Sequence, residues 1–292
     1  MEQRVINMEN VLILGSAGMA GHVISEYLSQ LDEYHVINCA RHSSSAGTII
    51  LDVTDFSAVK RTLAETKPTF VINCVGLLIE ASKKRIDEAI LINSYFPHLL
   101  ARLGQEQNFR LIHLSTDCIF SGKRGNYIES DTCDSNEPYA RTRALGEINS
   151  ADHLTIRTSF IGPELKSEGT GLFNWFMHQS GAIRGYSKAY WSGVTTIELS
   201  RFIHAAIKGR LTGLYQLTAP KKINKYDLLM LMKQIWQRED IQIEPFDGYF
   251  SDKSMISTRT DFQWQTSKYP DMFATMKQWM DERPALYRHY DE

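Results

Sequence analysis

Val11-Leu-Ile-Leu-Gly15-Ser-Ala-Gly18-Met-Ala-Gly21 decides the fold. Four aliphatic residues in a row suit a strand buried on both faces. The glycines that follow are spaced G-x-x-G-x-x-G, and residues 18–31 then run with helical periodicity through Val23, Ile24, Tyr27, Leu28 and Leu31. Gly15 permits a tight turn, Gly18 lets backbone approach a pyrophosphate, and Gly21 allows close packing of helix on strand. The helix N-terminus offers N–H groups and a partial positive charge to the anion. A glycine trio alone is a weak signal, but between a strand and a helix it points to a dinucleotide rather than to a structural turn.

The same alternation continues. Short apolar runs at 34–39, 48–51, 69–75, 111–114 and 154–157 are separated by helical stretches near 56–66, 85–106 and 139–149. Strands alternating with helices predict a doubly wound, mostly parallel α/β sheet of Rossmann type, covered on both faces. Beyond Thr158 glycines and aromatics thicken and clean periods fade. A helix at 196–208, a strand at 213–217 and a helix at 226–236 follow. We expect a nucleotide-binding domain from 1–158 plus about 196–220, and a smaller mixed α/β C-terminal substrate lobe from 159–195 plus about 221–292.

Composition narrows the function. With 43% hydrophobic residues in 292, the chain can bury a full core. The 32 basic and 34 acidic residues leave a net charge of −2, giving no electrostatic reason to expect nucleic acid or an anionic membrane as partner. Cys39, Cys74, Cys118 and Cys133 form no C-x-x-C pair, which argues against a disulfide framework or a zinc site and fits a reducing cytoplasm. The histidines show no metal-ligand spacing, so no metal is assigned. Residues 1–10 are polar and lack the apolar run of a signal peptide, and Met8 is an alternative start. No run approaches the ~18 apolar residues of a membrane span.

The end of the second strand separates NAD from NADP. NAD binders place an acid there for the ribose 2′-OH. This chain has Asn38-Cys-Ala-Arg41-His-Ser43, with no acid and with an arginine suited to a 2′-phosphate. NADP(H) is therefore expected, with NAD(H) as the alternative; the plainer reading of Arg41 is a solvated loop residue. Asp52 either holds the adenine edge or caps the next helix.

Three further pieces are Asn73-Cys-Val-Gly76, Ser115-Thr116-Asp117 and Tyr139-Ala-Arg-Thr-Arg143. Together with the glycine turn, the stretch from Leu114 to Gly122, and Ala144-Leu-Gly-Glu147, they resemble the extended short-chain dehydrogenase/reductase family. Within it they look most like the dTDP-4-dehydrorhamnose reductases. Ile92-Asn93, Arg157-Thr-Ser159 and Gly213-Leu-Tyr-Gln-Leu217 carry the same resemblance, which is strong through residue 160 and weaker beyond about 220.

The resemblance implies that NADP(H) lies along Gly15, Ala17, Gly18, Met19, Arg41, Asp52, Val53, Cys74, Val75, Gly76 and Asn93, and meets Tyr139 and Arg143. It implies a nucleotide-sugar substrate near Leu77, Asp117, Cys118, Phe160 and Trp191, often in a homodimer. The chemistry gives the central residues their roles. Reducing a ketone needs a proton on oxygen; a phenol, with a pKa of about 10, supplies it if a cation four residues along the helix pulls that pKa toward neutrality. Tyr139 is then the general acid, Thr116 the hydroxyl that orients the carbonyl, and Arg143 the cation.

Two positions depart from the family. Arg143 stands where it has lysine; arginine keeps the charge but is larger, forked and never deprotonates. Cys118 stands where the rhamnose reductases carry an aromatic. The leading expectation is reduction of the 4-keto group of a nucleotide-linked 6-deoxyhexose in surface-polysaccharide synthesis. A non-catalytic NADP-binding module of the same fold is the alternative, and a reductase/epimerase using Cys118 a third. Arg184 and Lys188 are expected near the diphosphate, against a plainer reading as solvated loop charges.

Overall fold

The structure, a computed structural model, describes residues 8–42 and 46–291. The readings made on residues 1–7 and Ser43 lie outside the described residues.

β1 (Glu9–Leu14) is central. Val11, Leu12 and Ile13 are wholly buried. Val11 and Ile13 belong to one apolar cluster and Leu12 and Leu14 to another, one on each side of the sheet. A strand with two buried faces has no use for alternation, hence the continuous aliphatic run. α1 (Met19–Ser29), β2 (Tyr34–Ala40), β3 (Ile49–Ile50), α2 (Phe56–Thr66) and β4 (Phe70–Asn73) follow. Then come α3 (Ile79–Lys84), α4 (Ile86–Ala89), α5 (Phe96–Gln107), β5 (Arg110–Thr116), α6 (Pro138–Leu145) and β6 (Leu154–Thr158).

Past β6 lie β7 (Phe160–Ile161), α7 (Leu172–Met177), β8 (Gly181–Tyr186), β9 (Ala189–Trp191), β10 (Val194–Thr195), α8 (Thr196–Lys208) and β11 (Gly213–Gln216). β12 (Ile223–Asn224), α9 (Lys225–Trp236), β13 (Ile241–Phe246), β14 (Ser251–Asp252), α10 (Tyr269–Asp281) and α11 (Pro284–Tyr287) complete the order. Among the described residues the main sheet has seven strands in the order β11-β6-β5-β4-β1-β2-β3. All its pairings are parallel. The chain reverses direction across the sheet between β1 and β4, and the strand ends there form a crevice.

The expected helix at 85–106 is broken. α4 runs into a wide π-turn, Ile90–Tyr95, before α5 begins. Pro97 has no N–H to give the carbonyl of Asn93 four residues back, so a regular helix cannot close there. The space is used: a Cβ on Gly146, just past α6, would overlap the Asn93 carbonyl oxygen.

The second half returns to the first, as β11 pairs with β6. One buried cluster includes Val23 and Leu28 of α1, Phe202 and Ile203 of α8, Leu228 and Met232 of α9, and Phe273 and Met276 of α10. A small sheet, β12-β9-β14, stands beside the loop after β5. That loop is stitched to it: Asp252 N donates to Gly122 O at 2.6 Å and Tyr127 N to Ser254 O at 2.9 Å.

Candidate active site

The glycine turn is fixed by backbone alone. Gly15 has φ +80°, which disfavours any side chain. The N–H groups of Gly15 and Ser16 both donate to Cys39 O, at 2.9 and 3.0 Å, stapling the turn to the end of β2. A Cβ on Gly21 would overlap the Gly15 carbonyl oxygen, so only glycine lets α1 sit this close. At Gly18 a Cβ would meet only Gly15 O, at 3.3 Å, and the backbone there is exposed. α1 carries no side-chain cap and no acid in its first turn, so its N–H groups and partial positive charge face the groove uncompensated.

That groove has a volume of about 710 Å³. Its walls bring together Gly15, Ala17 and Gly18 from the turn, Arg41 beyond β2, Asp52 and Val53 beyond β3, and Cys74, Val75, Gly76 and Leu77 beyond β4. Leu77, expected on the substrate side, therefore lines the cofactor groove. Met19 does not; its methyl packs against Gly171. The sequence reading missed Arg85 and Lys166, which join Arg41 on the wall from distant loops with no local motif to announce them.

Asp52 is not the cap of α2. Asp55 is, accepting from Ala58 N at 2.9 Å. The Asp52 carboxylate accepts from Thr54 N and Oγ1, at 2.9 and 2.7 Å, and these bonds hold it below the usual carboxylate range. Arg41 is exposed, with no ion-pair partner among the described residues. Open glycine backbone, a free helix N-terminus and an unpaired arginine in place of an acid fit a dinucleotide with a 2′-phosphate.

The acid–base corner lies where β5 ends. The Thr116 hydroxyl accepts from Cys118 N at 3.1 Å and donates to Asp117 at 3.3 Å. Tyr139 and Arg143 stand one turn apart on α6. Arg143 is buried; its guanidinium donates to Leu114 O and, at 3.4 Å, to Val75 O. It thus bridges the ends of β4 and β5 and reaches within 3.0 Å of where a Cβ on Gly76 would be. Its Nε has no hydrogen-bond partner among the described residues. Just past α6, the chain is tied to the sheet by a buried Glu147–Arg157 pair at 2.7 Å, with Ser115 donating to Glu147 at 2.6 Å.

The phenol of Tyr139 does not move as the sequence predicts. Burial raises its pKa above the usual value, and the neighbouring Cys118 and Asp117 add to this. The Arg143 charge and the Thr116 hydroxyl pull it down but do not prevail. Desolvation of the phenolate outweighs a cation whose guanidinium is already shared with two carbonyls. At neutral pH Tyr139 therefore holds its proton.

Asn93, expected against the cofactor, is wholly buried and does not line the groove. Its amide accepts from Leu77 N at 2.8 Å and donates to Leu77 O at 3.0 Å and Thr142 Oγ1 at 3.2 Å. It ties the groove wall at Leu77 to α6, the helix that carries Tyr139 and Arg143.

On the substrate side Asp117 is buried and Cys118 half-buried beside Thr116. Burial, then the charge of Asp117, pushes the Cys118 thiol up to about 11. Trp191 is only 4% exposed; its indole N–H donates to Ser159 Oγ at 2.8 Å and its ring stacks on Tyr269, so it serves the core rather than a cleft wall. Phe160 likewise packs against the core. Arg184 lies over the Phe246 ring, and Lys188 pairs with exposed Asp247. Here sequence reasoning also missed Lys225, whose ammonium lies 5.1 Å from the Trp191 ring centroid, with Asp117 and Cys118 as neighbours.

A dinucleotide groove whose wall at Val75 is bonded by a fixed cation, with a phenol one helical turn from that cation, defines the class: a nucleotide-dependent reductase built on a doubly wound sheet. The chain belongs to the family described as RmlD substrate binding domain, whose model matches residues 8–249. A dTDP-4-keto-6-deoxy-D-glucose reductase of Streptomyces niveus is 25% identical over 244 residues, covering 80% of this chain and 81% of the relative. A probable dTDP-4,6-dihydroxy-2-methyloxan-3-one 4-ketoreductase of Streptomyces antibioticus is 34% identical over 139 residues, a match spanning 47% of this chain and 44% of that one. In fold, the chain is similar to a dTDP-4-dehydrorhamnose reductase of Bacillus anthracis solved with NADP. The TM-score is 0.80 at 19% identity, covering 93% of this chain and 99% of that one. No helix among the described residues is long and apolar enough to cross a membrane.

Proposed function

We propose that this protein reduces the 4-keto group of a nucleotide-linked 6-deoxyhexose with NADPH, in the synthesis of surface-polysaccharide sugars. The observation that supports the reading is Tyr139, half-buried and holding its proton beside Thr116, one helical turn from Arg143, whose guanidinium bonds the groove wall at Val75. Bound NADPH supplies the hydride. The chain's own residues do the rest: Thr116 donates a hydrogen bond to the carbonyl oxygen, Tyr139 delivers the proton to that oxygen, and Arg143 stabilises the tyrosinate left behind. A phenol that keeps its proton suits this direction, because reduction consumes one.

The test is NADPH oxidation by the purified protein on dTDP-, UDP- and GDP-linked 4-keto-6-deoxyhexoses. Turnover on none of them would sink the reading. One observation favours a second, non-catalytic role as an NADP-binding module: the Arg143 guanidinium is committed to the Leu114 and Val75 carbonyls. Arg143→Lys separates the two. Tight NADPH binding without turnover in either form supports the module, whereas turnover by either form supports the reductase.

A further inference from the structure

Four lysines stand on or beside the small sheet β12-β9-β14: Lys188, Lys222, Lys225 and Lys253. Two are spoken for. Lys188 pairs with Asp247 at 3.3 Å, and Lys222 pairs with Asp252 at 2.5 Å while lying over the Tyr190 ring. Lys225 and Lys253 make no ion pair among the described residues, and both converge on the same place. Lys225 leaves the start of α9, passes over Trp191 and has the Asp117 carboxylate and the Cys118 thiol as neighbours. Lys253 packs its stem beside Gly122, 3.1 Å from where a Cβ there would be, and its charge also reaches Cys118. Cys118 lies two residues beyond Thr116, so both cations stand near the acid–base corner.

The position of Lys225 is costly. It is the first residue of a 12-residue helix, where a cation opposes the partial positive charge of the helix end. Asn224 caps that helix by accepting from Asp227 N at 2.8 Å and does nothing for the ammonium. Burial depresses Lys225 to about 8, against the upward pull of Asp117 and Cys118. A cation held at such a disadvantage, unpaired and beside the acid–base corner, is completed by an anion brought in from outside. Of a neutral keto-sugar joined to a nucleotide, the diphosphate is the anionic part.

We propose that Lys225 and Lys253 form a clamp for the diphosphate of the nucleotide sugar, holding it so that the keto carbon falls beside Thr116 and Tyr139. This rests on the reductase reading above. It assigns to two lysines the role that the sequence pointed to Arg184 and Lys188 for.

Calorimetric titration of the full chain with dTDP, UDP and inorganic pyrophosphate tests the clamp, using Lys225→Met, Lys253→Met and the double variant. Methionine keeps the aliphatic stem, and a parallel NADPH titration reports whether each variant is folded. Each single change should weaken nucleoside diphosphate binding by about 10- to 100-fold, the loss expected for one charge-assisted contact. NADPH affinity should stay within about twofold, and Lys225→Arg should recover most of the loss. On a sugar nucleotide that turns over, KM should rise far more than kcat falls. Nucleoside diphosphate affinity and KM unchanged in the double variant would overturn the clamp and leave the reductase standing. Diphosphate binding that depends on the two lysines, in a protein that turns over no keto-sugar, would leave the clamp standing and remove the reductase.

Discussion

The two sides of the cleft are built from different material. The cofactor side is largely backbone: Gly15 in a left-handed conformation, Gly21 with no room for a Cβ, and the unblocked first turn of α1. Those features sit within seven residues of sequence, and glycine is their only solution. The acid–base corner is made of side chains from β5, the loop after it and α6, brought together by tertiary packing, with Lys225 of α9 beside it. Backbone requirements write themselves into local sequence, whereas convergent side chains do not. The contrast predicts that cofactor binding fails through geometry and substrate handling through chemistry.

The sharpest way to break that contrast is Tyr139→Phe. Removing the proton donor should lower kcat by about 10²–10⁴-fold while NADPH affinity holds, because the phenol ring and its packing remain. Stopped-flow and steady-state NADPH oxidation measure the first, and fluorescence titration the second. Parallel loss of NADPH binding would mean that acid and groove are not separable.

Gly21→Ala attacks the other side. The added methyl collides with the Gly15 carbonyl oxygen, which is backbone and cannot swing away. Overpacking of this kind costs about 1–3 kcal/mol. Thermal unfolding should show a lower Tm, and NADPH binding should weaken because the turn is displaced. Wild-type stability and affinity in this variant would refute the placement of α1 against the turn.

Arg41→Ala is milder and more selective. If the guanidinium meets a 2′-phosphate, NADPH should bind about tenfold more weakly and NADH should be unaffected, the loss of one exposed charge-assisted contact. Equal losses for both cofactors would return Arg41 to the role of a solvated loop residue.

How far the sequence could be read follows the same division. The sheet, α2, α8 and the glycine turn follow from periodicity and glycine spacing, and the structure places them within a few residues of expectation. The break at 90–95 was legible in principle, since Pro97 denies Asn93 its helical partner, but only with the helix axis already assumed. Trp191 misled because an aromatic near an expected cleft is indistinguishable in sequence from one in the core. Arg85 and Lys166 reach the groove from loops whose fold the chain does not announce. Lys225 did leave a trace: in Asn224-Lys-Tyr-Asp227 a capping asparagine and an acid three residues on mark a helix start, with a cation where the helix end is already positive. A charge placed against its local preference is a pointer to function that hydrophobic periodicity cannot supply.

That misplaced charge gives an effect as small as that of Arg41→Ala, and the one that joins the two sides. The pH profile of kcat/KM reports the groups of the free enzyme. Tyr139, raised above its usual value, stays protonated through neutral pH, so the proton supply for reduction is complete there and falls only as pH climbs past 10. Lys225, depressed to about 8, loses its charge earlier. Asp117 and the Cys118 thiol are its neighbours, the Trp191 ring lies beneath it, and Asp227 is in its own first turn. Since a protonated Lys225 is what attracts the diphosphate, kcat/KM should drop by about tenfold to a lower plateau as pH rises through 8, then fall again beyond 10. In Lys225→Met the first step should vanish, leaving the wild-type lower plateau and only the upper limb. A first step that survives in Lys225→Met would belong to another group and would detach the lysine from substrate binding; an upper limb arriving near neutrality would mean that Arg143 governs the phenol after all.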